Sequence, residues 1–361
     1  MPSVVLHFDF HLALRLRKYG FFDIGRSQEY FDADESRAAL ARFAEGFALP
    51  AAARMLRLVR RHRGRFRVSL SVSGMLLEQL KEGQKPLLES FRRLADTGCA
   101  EIVCGVYHHS FASLFSEAEF RRQIAMHRRM IRACFGRRPR AFRNTAGLCS
   151  GDVVRVARSM GFRVILDGGA GRLSDEMMSG DAEAFAGRLV DRVDGDEVIG
   201  LVIDCAGFGE GGPGGPGALR FLEDVPGILL KRRNWSFLTP SEAAARRGKT
   251  DFLDTAVPSL HSDPGKDRAE PLGNHLQRDA ANTLYALEGR VHETRSRRLL
   301  DTWRKLQASD YFDCMCTKGL SEGAPGRTPN PFGSPYDAYI HTMNILKDFS
   351  GRVEGKSGVR S

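Results

Sequence analysis

Polar side chains stand at two-residue spacing near the start of this chain. In VVLHFDFHL, His7, Asp9 and His11 alternate with Phe8 and Phe10. If the run is a strand, all three point to one face. Two imidazoles and a carboxylate on one face could ligate zinc, or could grip a polar substrate. Three further apolar runs end in groups of the same kind. AEIVCGV leads into Tyr107, His108, His109 and Ser110. RAF leads into Arg143, Asn144 and Thr145. VIGLVID closes on Asp204. The second of these stops at Ala146, where a reactive group would be expected to follow.

Elements must bring such strand ends together. VVLHFDF, FRVSLSVSG, AEIVCGVY, RAFRNT, FRVILDGG and VIGLVIDC read as strands. Helices are expected at 51–63, about 84–97, 116–135 and 152–160. Ser116 and Glu119 form a capping box for the third, and Gly161 stops the fourth. Alternating strands and helices predict parallel strands joined by helical crossovers. Six or seven such units predict an α/β fold of incomplete (β/α)7-barrel type, with its chemistry at the C-terminal strand ends. GFGEGGPGGPGAL, 207–219, has no Lys-Ser/Thr after its glycines and reads as a surface loop rather than a phosphate cradle. Thr239, Pro240 and Glu242 mark a helix start. Beyond about 250 the strand pattern fades. The expected organisation is a barrel over 1–250, a helical bundle over 251–350 and a frayed tail over 351–361.

Composition narrows the class. The 361 residues are 42% apolar and 27% charged, as in a water-soluble globular protein, and no apolar run is long enough to span a membrane. The opening stretch is interrupted by Asp9 and two histidines, which argues against a signal peptide. Seven cysteines without zinc-ribbon spacing suggest reduced thiols and a cytoplasmic protein. The net charge of +10 raises a nucleic-acid partner. Against it, Phe120, Ile124, His127, Ile131 and Phe135 repeat at helical spacing, which sends the arginines of RRQIAMHRRMIRACF to a solvated face. No nucleic-acid, membrane or cofactor partner is expected.

Taken in order, these stretches resemble the α-amylase-type members of glycoside hydrolase family 57. HLALRLRKYGFFDIG is similar to the family's first motif, CAEIVCGVYHHSFASLF to the second, FRNTAGL to the third and IDCAGFGE to the fourth. SDYFDCMCTK and SPYDAYIHTMNILKDF resemble the fifth and the closing helix. The resemblance implies an incomplete β/α barrel with a C-terminal helical bundle, and retaining cleavage of α-glucans. It implies a glutamate nucleophile in the third motif and an aspartate acid/base in the fourth. The acid/base position is Asp204; the nucleophile position is Ala146, whose methyl group cannot form a glycosyl ester. Other departures are Leu12-Ala13 for Gln-Pro, Gly105-Val106 for Glu-Thr, Cys205-Ala206 for Tyr-Glu, and Asp313-Cys314 for two tyrosines. Family-type polar groups remain at His11, Tyr107, His109, Arg143, Asn144, Asp310 and Lys318, as expected substrate contacts.

The resemblance therefore implies a family member without standard hydrolysis that binds α-glucan or maltooligosaccharide, or regulates an active partner. Two other readings stay open. A carboxylate at Asp9, Glu210 or Asp313 could replace the missing nucleophile. His7, Asp9 and His11, with Asp204 or His109, could hold a metal, although the family uses none. Plainer readings also exist: Arg143 and Asn144 as buried polar braces, Trp235 and Trp303 as core, and Cys205 as an inert thiol.

Overall fold

The protein is described here from a computed structural model, covering residues 2–166, 181–192, 197–205, 216–232, 234–247, 272–317 and 330–357. Glu210, Ala206, Lys318 and most of the 207–219 loop lie outside the described residues. The chain divides into two compact units. The first comprises Met1–Leu12, Ala39–Tyr107 and Arg121–Asp263; the second comprises Ala13–Ala38, His108–Phe120 and Pro264–Ser361.

The first unit is built on parallel strands: β1 (Ser3–Phe10), β2 (Val68–Val72), β3 (Ala100–Ile102), β4 (Ala141–Arg143), β5 (Val164–Leu166), β6 (Val198–Asp204) and β7 (Ser236–Phe237). β1 is central. It pairs with β6 from Ser3 to Asp9, with β2 from His7 to Phe10, and with β7 at Ser3 and Val4. β2 pairs with β3, and β4 with β5. A parallel bridge between Cys104 and Phe142 carries the sheet from β3 to β4. Val5, Val103, Ala141, Val164, Leu166 and Val198 meet in one buried cluster with Ala243. Inward side chains from five strand segments can share a cluster only if the sheet curls on itself, as in a (β/α) barrel. β1 is buried on nearly every residue because helices cover the outer face of the sheet.

Helices join the strands. Glu117–Phe135 lies between β3 and β4; Phe120, Ile124, His127, Ile131 and Phe135 are its buried stripe, while Arg122, Arg129 and Arg132 are exposed. Its first turn is capped, with the Glu119 N–H donating to Ser116 Oγ at 3.2 Å. Gly151–Ser159 starts at the Ser150 cap and stops before Gly161, whose φ of 84° favours glycine. The helix expected from 51 begins at Leu49 and follows a π-turn, Ala44–Ala48, and the helix Ala33–Phe43. Gly74–Gly83, Ala182–Arg192 and Pro216–Lys231 are helices that the apolar patterning did not mark. The last tolerates Pro226 within it.

The second unit is mostly helical, with a short antiparallel strand pair, Arg15–Leu16 with Phe31–Asp32; its C-terminal helices are His275–Tyr285, Glu288–Glu293, Arg297–Lys305, Ser309–Asp313 and Pro335–Ser357. A break falls between Tyr285 and Glu288, and the closing helix continues past 350 to Ser357. Trp303 is fully buried, its indole N–H donating to Leu284 O at 2.9 Å, and Tyr285 stacks on Phe115. Arg304 grips the buried Glu119 carboxylate with two hydrogen bonds, 2.8 and 3.0 Å. Among the described residues no helix is long and apolar enough to cross a membrane.

Candidate functional site at the strand ends

Alternation along β1 puts His7 and Asp9 on the same face as Val5, which looks into the barrel. Asp204 is the register partner of Asp9 on β6, and Ser71 its partner on β2. Arg143 ends β4, two residues after inward-facing Ala141. Three neighbouring strands and a fourth thus deliver Asp9, Ser71, Asp204 and Arg143 to the C-terminal end of the barrel.

These groups form a connected chain. Ser71 Oγ donates to Asp9 Oδ1 at 2.6 Å, and Arg143 Nη1 pairs with Asp9 Oδ2. His7 places Nδ1 at 2.9 Å from Ser69 Oγ and Nε2 at 3.1 Å from Ser71 Oγ. A serine hydroxyl has one proton, and that of Ser71 goes to Asp9. His7 Nε2 therefore carries the proton and donates to Ser71, and Nδ1 accepts from the Ser69 hydroxyl, which lies closer to it than to its other acceptor, Leu6 O, at 3.3 Å. His7 is the neutral tautomer, with both nitrogens engaged. Burial pushes its pKa from 6.5 down to about 3, helped by the Arg143 charge and opposed by Asp9. Neither ring nitrogen of His7 is left with a lone pair for a metal. His11 is held apart from this chain, with Nδ1 2.7 Å from Ser73 Oγ.

The segment after β4 turns sharply. Thr145–Gly147 is a 3₁₀ turn in which Ala146 has φ 54° and ψ 15°, a left-handed conformation unusual for a residue with a Cβ. Asn144 is buried and its amide nitrogen donates to Leu148 O at 3.0 Å, bracing the turn. Ala146 itself is exposed. Tyr107 is buried and donates to Glu78 Oε1 at 2.7 Å. Its ring lies so close to Gly74 that a Cβ there would sit 2.3 Å from it. A Cβ on Gly105 would stand 3.2 Å from Arg143 O.

Cys205 is fully buried, and its thiol is pushed well above 9 by burial first and then by the Asp204 and Asp9 charges, so it is no nucleophile. His108 is buried, past the end of its strand at Ile102. In the second unit, His109 Nδ1 lies 2.8 Å from Ser309 Oγ, with Asp310 Oδ2 3.4 Å from the same hydroxyl. Glu119, Glu288 and His292 also gather there with ligand-type atoms within 4.8 Å, but Arg304 already holds both oxygens of Glu119. The residues that sequence reasoning missed are Ser69, Ser71, Ser73 and Glu78. Three serines at two-residue spacing in VSLSVS were their signal.

Residues 5–186 match the family described as glycosyl hydrolase family 57. The chain belongs to that family. A Methanocaldococcus jannaschii protein named "Putative alpha-amylase" is 26% identical over 401 aligned positions, which cover 96% of this chain and 84% of the other. The fold is similar to that of a family 57-type branching enzyme from Pyrococcus horikoshii, with a TM-score of 0.62 at 13% identity, covering 99% of this chain and 94% of that one. It is equally similar to a 4-alpha-glucanotransferase from Thermococcus litoralis, with a TM-score of 0.62 at 14% identity; there the match covers 96% of this chain but only 59% of the larger protein. The incomplete (β/α)7 barrel and helical region expected from the sequence are thus those of a family 57 protein.

Proposed function

We propose that this family 57 protein binds α-glucan chains at the C-terminal barrel end and does not carry out retaining hydrolysis there. The observation that carries the reading is Ala146. In this reading the Thr145–Gly147 turn, braced by Asn144, stands where a nucleophile would be presented and carries a methyl group instead. Retaining cleavage needs a second carboxylate about 5–5.5 Å from the acid/base, here Asp204. Polar groups suited to sugar hydroxyls remain at His11, Tyr107, Arg143 and Asn144 in the barrel unit. The names of the similar proteins, a putative alpha-amylase, a branching enzyme and a 4-alpha-glucanotransferase, support the choice of ligand. A cytoplasmic location belongs to the same reading; none of the seven cysteines is in a disulfide.

Calorimetry with maltoheptaose tests the reading. Weak binding is expected, lost or reduced in Asp204→Asn and Arg143→Met, with no maltodextrin hydrolysis above background. No heat at millimolar ligand would refute the binding half. Turnover abolished by Asp204→Asn would refute the other.

One observation favours a second reading. Asp9 and Asp204 are register partners facing the same interior, so two carboxylates do stand side by side. Against a nucleophilic Asp9, its two oxygens are engaged by Ser71 and Arg143. Hydrolysis that vanished in both Asp9→Asn and Asp204→Asn would establish this reading instead.

A further inference from the structure

A cavity of about 710 Å³ opens at the opposite end of the barrel from Asp9 and Asp204. It lies where β3, β4 and β5 begin, and its wall includes Arg137, Arg138, Arg140, Arg163, Glu101 and Glu242. Its volume falls within the range of sites for small organic ligands.

The two acids are committed elsewhere. Glu101 accepts from the Ser241 N–H at 2.8 Å and from the Ser241 hydroxyl at 2.5 Å, capping the helix Pro240–Arg247. Glu242 accepts from the Thr239 N–H at 2.9 Å and pairs with Arg67 at 2.9 Å. The arginines are not committed. Arg137 has a loose, solvent-exposed partner, Asp96, at 3.6 Å. Arg138, Arg140 and Arg163 are exposed, and among the described residues their side chains have no ion pair or hydrogen bond.

Strand pairing forces two of these charges together. Ala141 pairs with Val164, so the preceding residues, Arg140 and Arg163, are neighbours, and the Arg163 N–H donates to Arg140 O at 3.0 Å. Like charges held side by side destabilise a sheet unless something neutralises them. Guanidinium forks match phosphoryl oxygens in geometry and charge. We propose that this cavity binds a small phosphorylated ligand carrying at least two negative charges, held by Arg138, Arg140 and Arg163. The site is separate from the glucan reading and does not depend on it.

The test is calorimetry and thermal melting of the full chain with inorganic pyrophosphate, against sodium chloride at matched ionic strength. The expected result is saturable, one-to-one binding with a rise in melting temperature that chloride does not reproduce. Arg140→Ser with Arg163→Ser should weaken binding by about tenfold for each arginine removed. Both side chains are at the surface, and the unliganded melting temperature checks that the variant folds. Arg140→Lys with Arg163→Lys, which keeps charge but loses the fork, should fall between wild type and the serine pair. Pyrophosphate binding that is absent, that chloride reproduces, or that the serine pair leaves unchanged would overturn the proposal. So would saturable binding of a single-stranded oligonucleotide with no binding of pyrophosphate.

Discussion

Replacing His7 by Gln should flatten the acid side of the protein's stability profile. In the folded state His7 is neutral with a pKa of about 3, depressed chiefly by burial; in the unfolded chain it returns to 6.5. Between those values the unfolded state binds a proton that the folded state refuses. Stability is therefore full above pH 6.5 and lost as pH falls toward 3, with a slope approaching about 1.4 kcal/mol per pH unit. The whole shift is worth about 5 kcal/mol, of which about 2 kcal/mol falls between pH 7 and 5. That upper part is the same for any folded-state pKa below about 4, since only the unfolded chain titrates there. Glutamine can still donate to Ser71 and accept from Ser69, but carries no titratable proton. Urea denaturation at pH 7, 6 and 5 gives the assay. Wild type should lose about 2 kcal/mol more than His7→Gln across that range, whatever the absolute stability of the variant. Other histidines, including the buried His127 with its own lowered pKa, are present in both proteins and cancel. Equal pH dependence in the two would refute the neutral, doubly engaged His7, and with it the proton assignment of the His7–Ser71–Asp9 chain.

Arg143→Met should cost about 3–5 kcal/mol by stranding Asp9, since the paired side chains are only 10% and 14% exposed. Adding Asp9→Asn should restore most of it, and strictly additive losses in a double-mutant cycle would refute the coupling. Arg304→Met should cost a similar ~3–5 kcal/mol because the Glu119 side chain is fully buried, with recovery in Glu119→Gln/Arg304→Met, read from urea midpoints. Ala146→Gly should leave stability unchanged or raise it by up to about 1 kcal/mol, because φ 54° costs alanine more than glycine. A clear loss would show that the methyl group packs. Ala146→Glu alone should release no nitrophenol from a nitrophenyl-maltooligosaccharide, and Gly105→Glu, Ala146→Glu and Ala206→Glu together should give slight activity at most. Family-like turnover in the single variant would mean that the rest of the site is intact.

Much of the barrel was legible along the chain. Short apolar runs marked β1, β2 and β6, because strands covered on both faces read as nearly continuous apolar stretches, and the stripe from Phe120 to Phe135 marked a helix that buries one face. Asp9, Arg143 and Asp204 were visible as polar ends of apolar runs, because side-chain chemistry is a property of the residue; the family resemblance added the expectation of a carboxylate at Ala146. The helices Gly74–Gly83, Ala182–Arg192 and Pro216–Lys231 were not legible, since a short element packed by its surroundings needs no strong pattern of its own. Nor could the sequence say what each polar group does. Register decides that: one parallel pairing sets Asp9 beside both Ser71 and Asp204, and a slip of one residue would send it to the other face. The same holds at the far end, where Arg140 and Arg163, twenty-three positions apart, become neighbours only because Ala141 pairs with Val164. Burial is likewise a tertiary property. A histidine between a leucine and a phenylalanine reads as a ligand or a base until the strands close around it and leave it neutral between two serines.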